Sequence, residues 1–237
     1  MDTHHQHHHL HKEAAKVEII SIPSNIEAGK SVMLTISIQD KGQHLPLDVV
    51  HEMKIHLLIV NEQLSWFTHI HPEEQLDGTF QVTTTFPSPG RYLLFTDYKP
   101  TGYPASVNKQ VIDIEGSTPV SEANGQTKLV SYVDGYKITL VNGNQLSTDT
   151  TQGLQFAIEK DGRTVPAKEI QNYLGAAAHI VMISNKDKDF LHIHPMTNSE
   201  FPIYAEAHIT KSGHYVLWVQ FKTDDTVHTA DFNVEVK

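Results

Sequence analysis

The sequence predicts an all-β protein built as two β-sandwiches in tandem, and three observations carry that prediction. Apolar and polar residues alternate over short stretches such as Ser31-Val-Met-Leu-Thr-Ile-Ser-Ile, the period of a half-buried antiparallel strand. Turn residues punctuate the chain at close intervals. A stretch then occurs twice: His56 to Pro72 reads HLLIVNEQLSWFTHIHP, and His179 to Pro195 reads HIVMISNKDKDFLHIHP. In both copies a lone His opens an apolar run, a polar turn follows, and an aromatic leads into His-Ile-His-Pro. Two apolar strands around a polar turn read as a β-hairpin.

From Val17 onward the elements follow in order. Val17 to Ile22 reads as a strand, Pro23-Ser-Asn breaks it, and Ser31 to Ile38 is the next strand. Asp40-Lys-Gly-Gln is a turn, followed by Leu45-Pro and an irregular or helical segment to His51. After the first hairpin come Gly78 to Phe86, a Pro-Ser-Pro-Gly turn, Tyr92 to Tyr98 and Val107 to Ile114. Such a series of short strands fits a sandwich of about a hundred residues. GSTPVSEANGQ at 116 to 126 has linker composition, and then the order returns. Gly153 to Lys160 repeats the early strand, and Asp161-Gly-Arg-Thr-Val-Pro repeats the turn and Leu-Pro. Lys168 to Leu174 is expected to form a helical turn. Ser212-Gly-His-Tyr-Val-Leu-Trp matches Pro89-Gly-Arg-Tyr-Leu-Leu-Phe, and Asp231 to Val236 matches the closing strand. The expected organisation is a His-rich tail at 1–16, a first repeat at 17–116, a linker at 117–126 and a second repeat at 127–237.

Composition narrows the functions. With 237 residues each half can bury its own core. No cysteine is present, so disulfides, zinc fingers, iron–sulfur clusters and a blue-copper centre are excluded. The formal charge of −10 offers no basic face for nucleic acid. No apolar run is long enough to span a membrane, and the N-terminus has no apolar signal segment, so an exported form is expected to carry its signal ahead of residue 1. Histidine is the outlier, at 17 residues. His4, His5, His7, His8, His9 and His11 make a tail that is expected to be disordered and to collect Cu, Ni or Zn ions.

The hairpin histidines carry the sharpest chemistry. Thirteen positions separate His56 from His69 and His179 from His192, and two more reach His71 and His194. Residues at i and i+2 of a strand share a face, so His69 projects with His71 and His192 with His194. A four-residue turn sets His56 across from His69 and a six-residue turn sets it across from His71. Either register gathers three imidazoles at Cβ separations of about 5 Å, close enough to share one ion at about 2.0–2.1 Å per nitrogen. Three neutral imidazoles with a vacant position suit Zn(II) or Cu(II), and copper binds tightest. The bland reading makes these histidines structural, hydrogen-bonded to backbone at a sandwich end and shared through common ancestry. Survival of all three while NEQLS and NKDKD diverge favours a site.

Further candidates are weaker. His51 and Met53 precede the first hairpin and are expected as extra metal ligands there; Met196 follows the second HIHP, and a thioether near imidazoles favours copper. His228 precedes the last strand and is expected to add a ligand to the second site only, since Ser106 stands in its place in the first repeat. Asp97 is a candidate to orient a ligating His, with Gln220 as its counterpart. Hydrolytic zinc would need a general base; Glu73-Glu74 supplies one in the first copy, but Met196-Thr197 stands there in the second. No nucleotide or serine-hydrolase motif occurs.

The pattern of His, polar turn, aromatic-x-His-x-His-Pro and then Gly-x-Tyr-x-Leu-Phe-x-Asp resembles exported bacterial proteins with YtkA-like, immunoglobulin-type domains. In the second half Tyr173-Leu-Gly-Ala-Ala-Ala-His, Phe190-Leu-His-Ile-His-Pro and Val227-His-Thr-Ala-Asp-Phe resemble that group most. The resemblance implies two tandem immunoglobulin-like β-sandwich domains in a secreted or cell-surface lipoprotein of the envelope, with copper or zinc handling. The expectation is a non-enzymatic, extracytoplasmic metal-binding protein with one His-based site per sandwich. The alternative is a cell-envelope interaction module whose histidines are structural or pH-responsive.

Overall fold

The computed structural model describes residues 15–117 and 125–237. Residues 1–14 of the expected tail and 118–124 of the expected linker lie outside these described residues. Contacts divide the chain into two compact units: residues 15–49, 54–57 and 69–117 belong to one, and 50–53, 58–68 and 125–237 to the other.

In the first repeat β1 (Lys16–Ile22) pairs antiparallel with β2 (Ser31–Asp40), Ile19 opposite Ile36. The alternation in β2 does what it predicts: Val32, Leu34, Ile36 and Ile38 are buried. The short β3 (Gln43–His44) folds back on β2. β4 (Ile55–Asn61) and β5 (Phe67–Ile70) form the hairpin, β6 (Glu73–Glu74) pairs with β7 (Phe80–Thr85), and β8 (Gly90–Tyr98) pairs with β9 (Ser106–Ile114). The two sheets run β1-β2-β7-β6 and β5-β4-β8-β9. Lettered in chain order these are A-B-E-D and C′-C-F-G, the arrangement of an immunoglobulin-type sandwich.

The second repeat adds a hairpin ahead of the same plan. β10 (Val130–Val133) and β11 (Tyr136–Leu140) are joined by Asp134-Gly135, both at positive φ, a two-residue hairpin turn. Then follow β12 (Thr151–Lys160), β13 (Arg163–Thr164), β14 (Ala178–Ser184), β15 (Phe190–Ile193), β16 (Pro195–Met196), β17 (Ile203–His208), β18 (Gly213–Thr223) and β19 (Thr226–Val236). Their sheets run β10-β11-β12-β17-β16 and β15-β14-β18-β19. The core packs Phe156 and Phe232, ring centroids 5.6 Å apart, among Ile138, Leu154, Ile180 and Leu217. Full burial of side chains this size contributes about 1.5–3 kcal/mol each.

Both repeats carry a tyrosine corner, a mark of this fold. The Tyr92 hydroxyl donates to the Ser88 carbonyl at 2.9 Å, and the Tyr215 hydroxyl donates to the Lys211 carbonyl at 2.8 Å. One local expectation is narrowed and one needs correcting. The stretch before His51 takes its irregular form: Leu47 makes an isolated bridge to Pro100, and Val50 to Met53 close a tight turn. In the second repeat the helical turn is a single 3-10 turn at Ala167–Glu169, after which Tyr173 to Ala176 close the matching tight turn. Among the described residues no helix is long and apolar enough to cross a membrane.

Candidate metal centre

Hairpin register decides which histidines meet. In the second repeat Ile180 pairs with Ile193 and Val181 with His192, so one further step sets His179 opposite His194. In the first repeat the Asn61 N–H donates to the Trp66 carbonyl at 3.3 Å, as that of Ser184 does to Asp189 at 3.0 Å. Extending that antiparallel pairing sets His56 opposite His71. Apolar neighbours orient the rings: Ala178, Ile180 and Met182 fill the core, which turns His179 to the outer face of its sheet.

In the first repeat three imidazoles converge. His56 Nδ1 lies 3.1 Å from His69 Nε2, and His71 Nε2 lies 3.2 Å from the same atom. The three ligand nitrogens fall within 4.8 Å of one another. Nitrogens held at about 2.0–2.1 Å from one ion, at angles of about 90–120°, stand about 2.9–3.6 Å apart. Both separations, 3.1 and 3.2 Å, fall inside that range. A purely hydrogen-bonded account fits less well, because a neutral ring nitrogen offers one N–H or one lone pair, and His69 Nε2 faces two partners. Burial, and secondarily the neighbouring His56, lower the His71 pKa from 6.5 to about 4. The ring is therefore neutral across the neutral and mildly acidic range, the state a metal ligand needs. A cavity of about 330 Å³ borders His71, with Met33, Glu73 and Gln75 in its walls.

Met33 escaped the sequence reading, although a Met at the outward phase of a strand whose apolar residues point inward was its signal. Glu74 is taken up by Lys54 at 2.6 Å. Met53 is half-buried and its backbone closes the tight turn with Val50.

The second set differs. His51, expected beside the first hairpin, sits with the second unit: its ring stacks on His194 at 4.9 Å and meets His179 edge-on at 5.5 Å. The tight turn of residues 50–53 is what carries it there. His179 is buried, and its Nε2–H donates to the Tyr173 carbonyl at 3.0 Å. His192 occupies the register position opposite Val181; its side chain lies outside the described residues. Gln220 pairs with His179 in register and donates its amide to Thr229 Oγ1 at 3.1 Å. Asp97 holds the corresponding place on β8.

His228 is not brought to this set. It shares the inward phase of β19 with Ala230 and Phe232, on the sheet face opposite His179. There it packs on Tyr136 and Phe221 and joins Asp134 at 2.7 Å through Nδ1 and Thr223 at 2.9 Å through Nε2. His44, His208 and His214 are exposed.

Comparisons with known proteins bear on family and fold. No curated protein matches the chain. Among solved structures, a tetra-tandem repeat from the extending region of a large adhesion protein shares 8% identity at a TM-score of 0.32, over 94% of this chain and 50% of that one. The Escherichia coli adhesin FdeC shares 13% at 0.29, over 95% and 66%. The fibronectin(III)-like modules of Clostridium thermocellum CbhA share 11% at 0.25, over 93% of both chains. The chain thus spans half of the first of these proteins and just under two thirds of the second. The immunoglobulin type rests on strand order and the tyrosine corners rather than on these superpositions, and the YtkA-like resemblance rests on its motifs alone. A family model described as a domain of unknown function, DUF8832, matches residues 7–114 and again 131–237. The chain belongs to the DUF8832 family and carries that domain twice.

Proposed function

We propose that this protein is a non-enzymatic, extracytoplasmic metal-binding protein that holds copper or zinc at the hairpin histidines of its sandwiches. One observation carries the reading: His56 Nδ1, His69 Nε2 and His71 Nε2 converge at ligand spacing. Copper leads on intrinsic affinity, and Met33 lines the same cavity as His71. Absence of catalysis is part of the proposal, since Glu73 has no carboxylate counterpart after the second HIHP. The extracytoplasmic placement is supported by the YtkA-like motifs. Calorimetric titration with Cu(II) and with Zn(II) tests it, in full-length protein whose six tail histidines are replaced by Asn. Binding no stronger than in a His69, His71, His192, His194 quadruple-Ala variant would defeat it.

A second reading has its own support. The same triad can be joined by N–H···N contacts, and tandem immunoglobulin-like sandwiches present loops suited to partners. Under this reading the chain is a cell-envelope interaction module with structural or pH-responsive histidines. It predicts that metal-free protein changes partner affinity or melting temperature between about pH 7 and 5.5 while added metal has no effect.

A further inference from the structure

We propose that His51, His179 and His194 form a second cation site, more open than the first and dependent on a residue from the 50–53 turn. The inference rests on the metal-binding reading of the hairpin histidines and adds to their second set a ligand from outside the hairpin. Ring separations of 4.9 and 5.5 Å compare with 4.5–5.2 Å in the first triad. The Nε2–H bond from His179 to the Tyr173 carbonyl occupies that nitrogen and makes Nδ1 the one that would meet an ion. A backbone carbonyl holding the far nitrogen is the usual support of a ligating histidine, and Nδ1 is the nitrogen His56 directs at its own triad.

The turn itself points the same way. Val50 and Met53 exchange backbone bonds at 2.9 and 3.2 Å, and Tyr173 and Ala176 do the same at 2.8 and 3.2 Å. Each turn ends three residues before its hairpin His. Both central residues have positive φ, His51 at 50° and Glu52 at 66°, against Leu174 at 51° and Gly175 at 73°. Such turns favour Asn-Gly and Asp-Gly. The 50–53 turn presents His51 at the position where its counterpart presents Leu174.

A cavity of about 410 Å³ borders His51 and His194, with Met196 and Asn172 in its walls, so an ion can reach these two rings from solvent, while His179 is buried behind them. His194 is exposed and Met196 is 51% exposed. Imidazoles beside a thioether select copper among first-row ions. Among the described residues only the first triad has its nitrogens already within 4.8 Å. The second site is accordingly the weaker and more readily exchanged.

The test uses the full chain with the six tail histidines replaced by Asn, and Cu(II) as the probe, read by calorimetry and by the nitrogen hyperfine pattern in electron paramagnetic resonance. This parent is expected to bind two ions, and a His69→Ala, His71→Ala variant one, more weakly. Adding His51→Gly to that variant should lower the remaining affinity at least about tenfold without lowering the melting temperature, because glycine fits the turn. His51→Asn, which also tolerates positive φ, guards against loosening by glycine. Remaining affinity unchanged in both His51 variants overturns the site, as does a parent that binds a single ion lost with His69 and His71. A parent that binds no Cu(II) overturns instead the metal-binding reading on which it rests.

Discussion

Acidification should loosen the first sandwich through His71. Burial, and then His56, hold this imidazole down to about 4 from an ordinary 6.5. The unfolded chain takes up the proton near 6.5, whereas the folded chain excludes it until near 4. Stability from the neutral ring is therefore fully present above about pH 6.5 and is lost as pH falls toward 4. At about pH 5 the full shift corresponds to about 2 kcal/mol. The ring is only part-buried, and solvent screening brings this to about 1 kcal/mol. For a sandwich of about 100 residues that lowers the melting temperature by about 4–8 °C. Circular dichroism melts of metal-free protein at about pH 7.5 and 5 measure it, comparing wild type with His71→Asn, which has no ring to titrate. Equal pH dependence in the two proteins would refute the reasoning.

Three further variants have expected outcomes. His69→Ala removes the nitrogen that faces both partners in the first triad and should weaken Cu(II) binding at that site at least about tenfold, measured by calorimetric titration of the tail-substituted chain. His228→Ala removes a buried ring that packs on Tyr136 and Phe221 and bonds Thr223 and Asp134, and should cost about 2–4 kcal/mol in urea unfolding. The same variant should leave the Cu(II) titration unchanged, which separates a core histidine from a ligand. Phe156→Ala, at a fully buried position against Phe232, should destabilise the second sandwich by about 3–5 kcal/mol, again by urea unfolding.

The fold was legible because strands announce themselves by period two. Val32, Leu34, Ile36 and Ile38 alternate in the sequence and are buried alternately in the sheet. The β10–β11 hairpin went unread although Asp134-Gly135 between Tyr132-Val and Tyr136 is a standard turn signal. The triad was legible because HxH in a strand and a cross-strand His are consequences of register alone. His51 was not, since its place depends on a turn whose His-Glu sequence departs from the residues such turns favour. His228 misled for a related reason. Proximity in sequence to a strand start does not reveal phase, and phase sends its ring inward to Tyr136 and Phe221 rather than outward with His179.

The tyrosine corners have a consequence for how the chain reaches its folded state. Each sandwich is latched by a phenol resting on a backbone carbonyl, and the sequence contains no cysteine to add a covalent cross-link. Closing such a latch needs no oxidant and opening it needs no reductant. Refolding from denaturant should therefore proceed identically with or without dithiothreitol, on either side of a membrane.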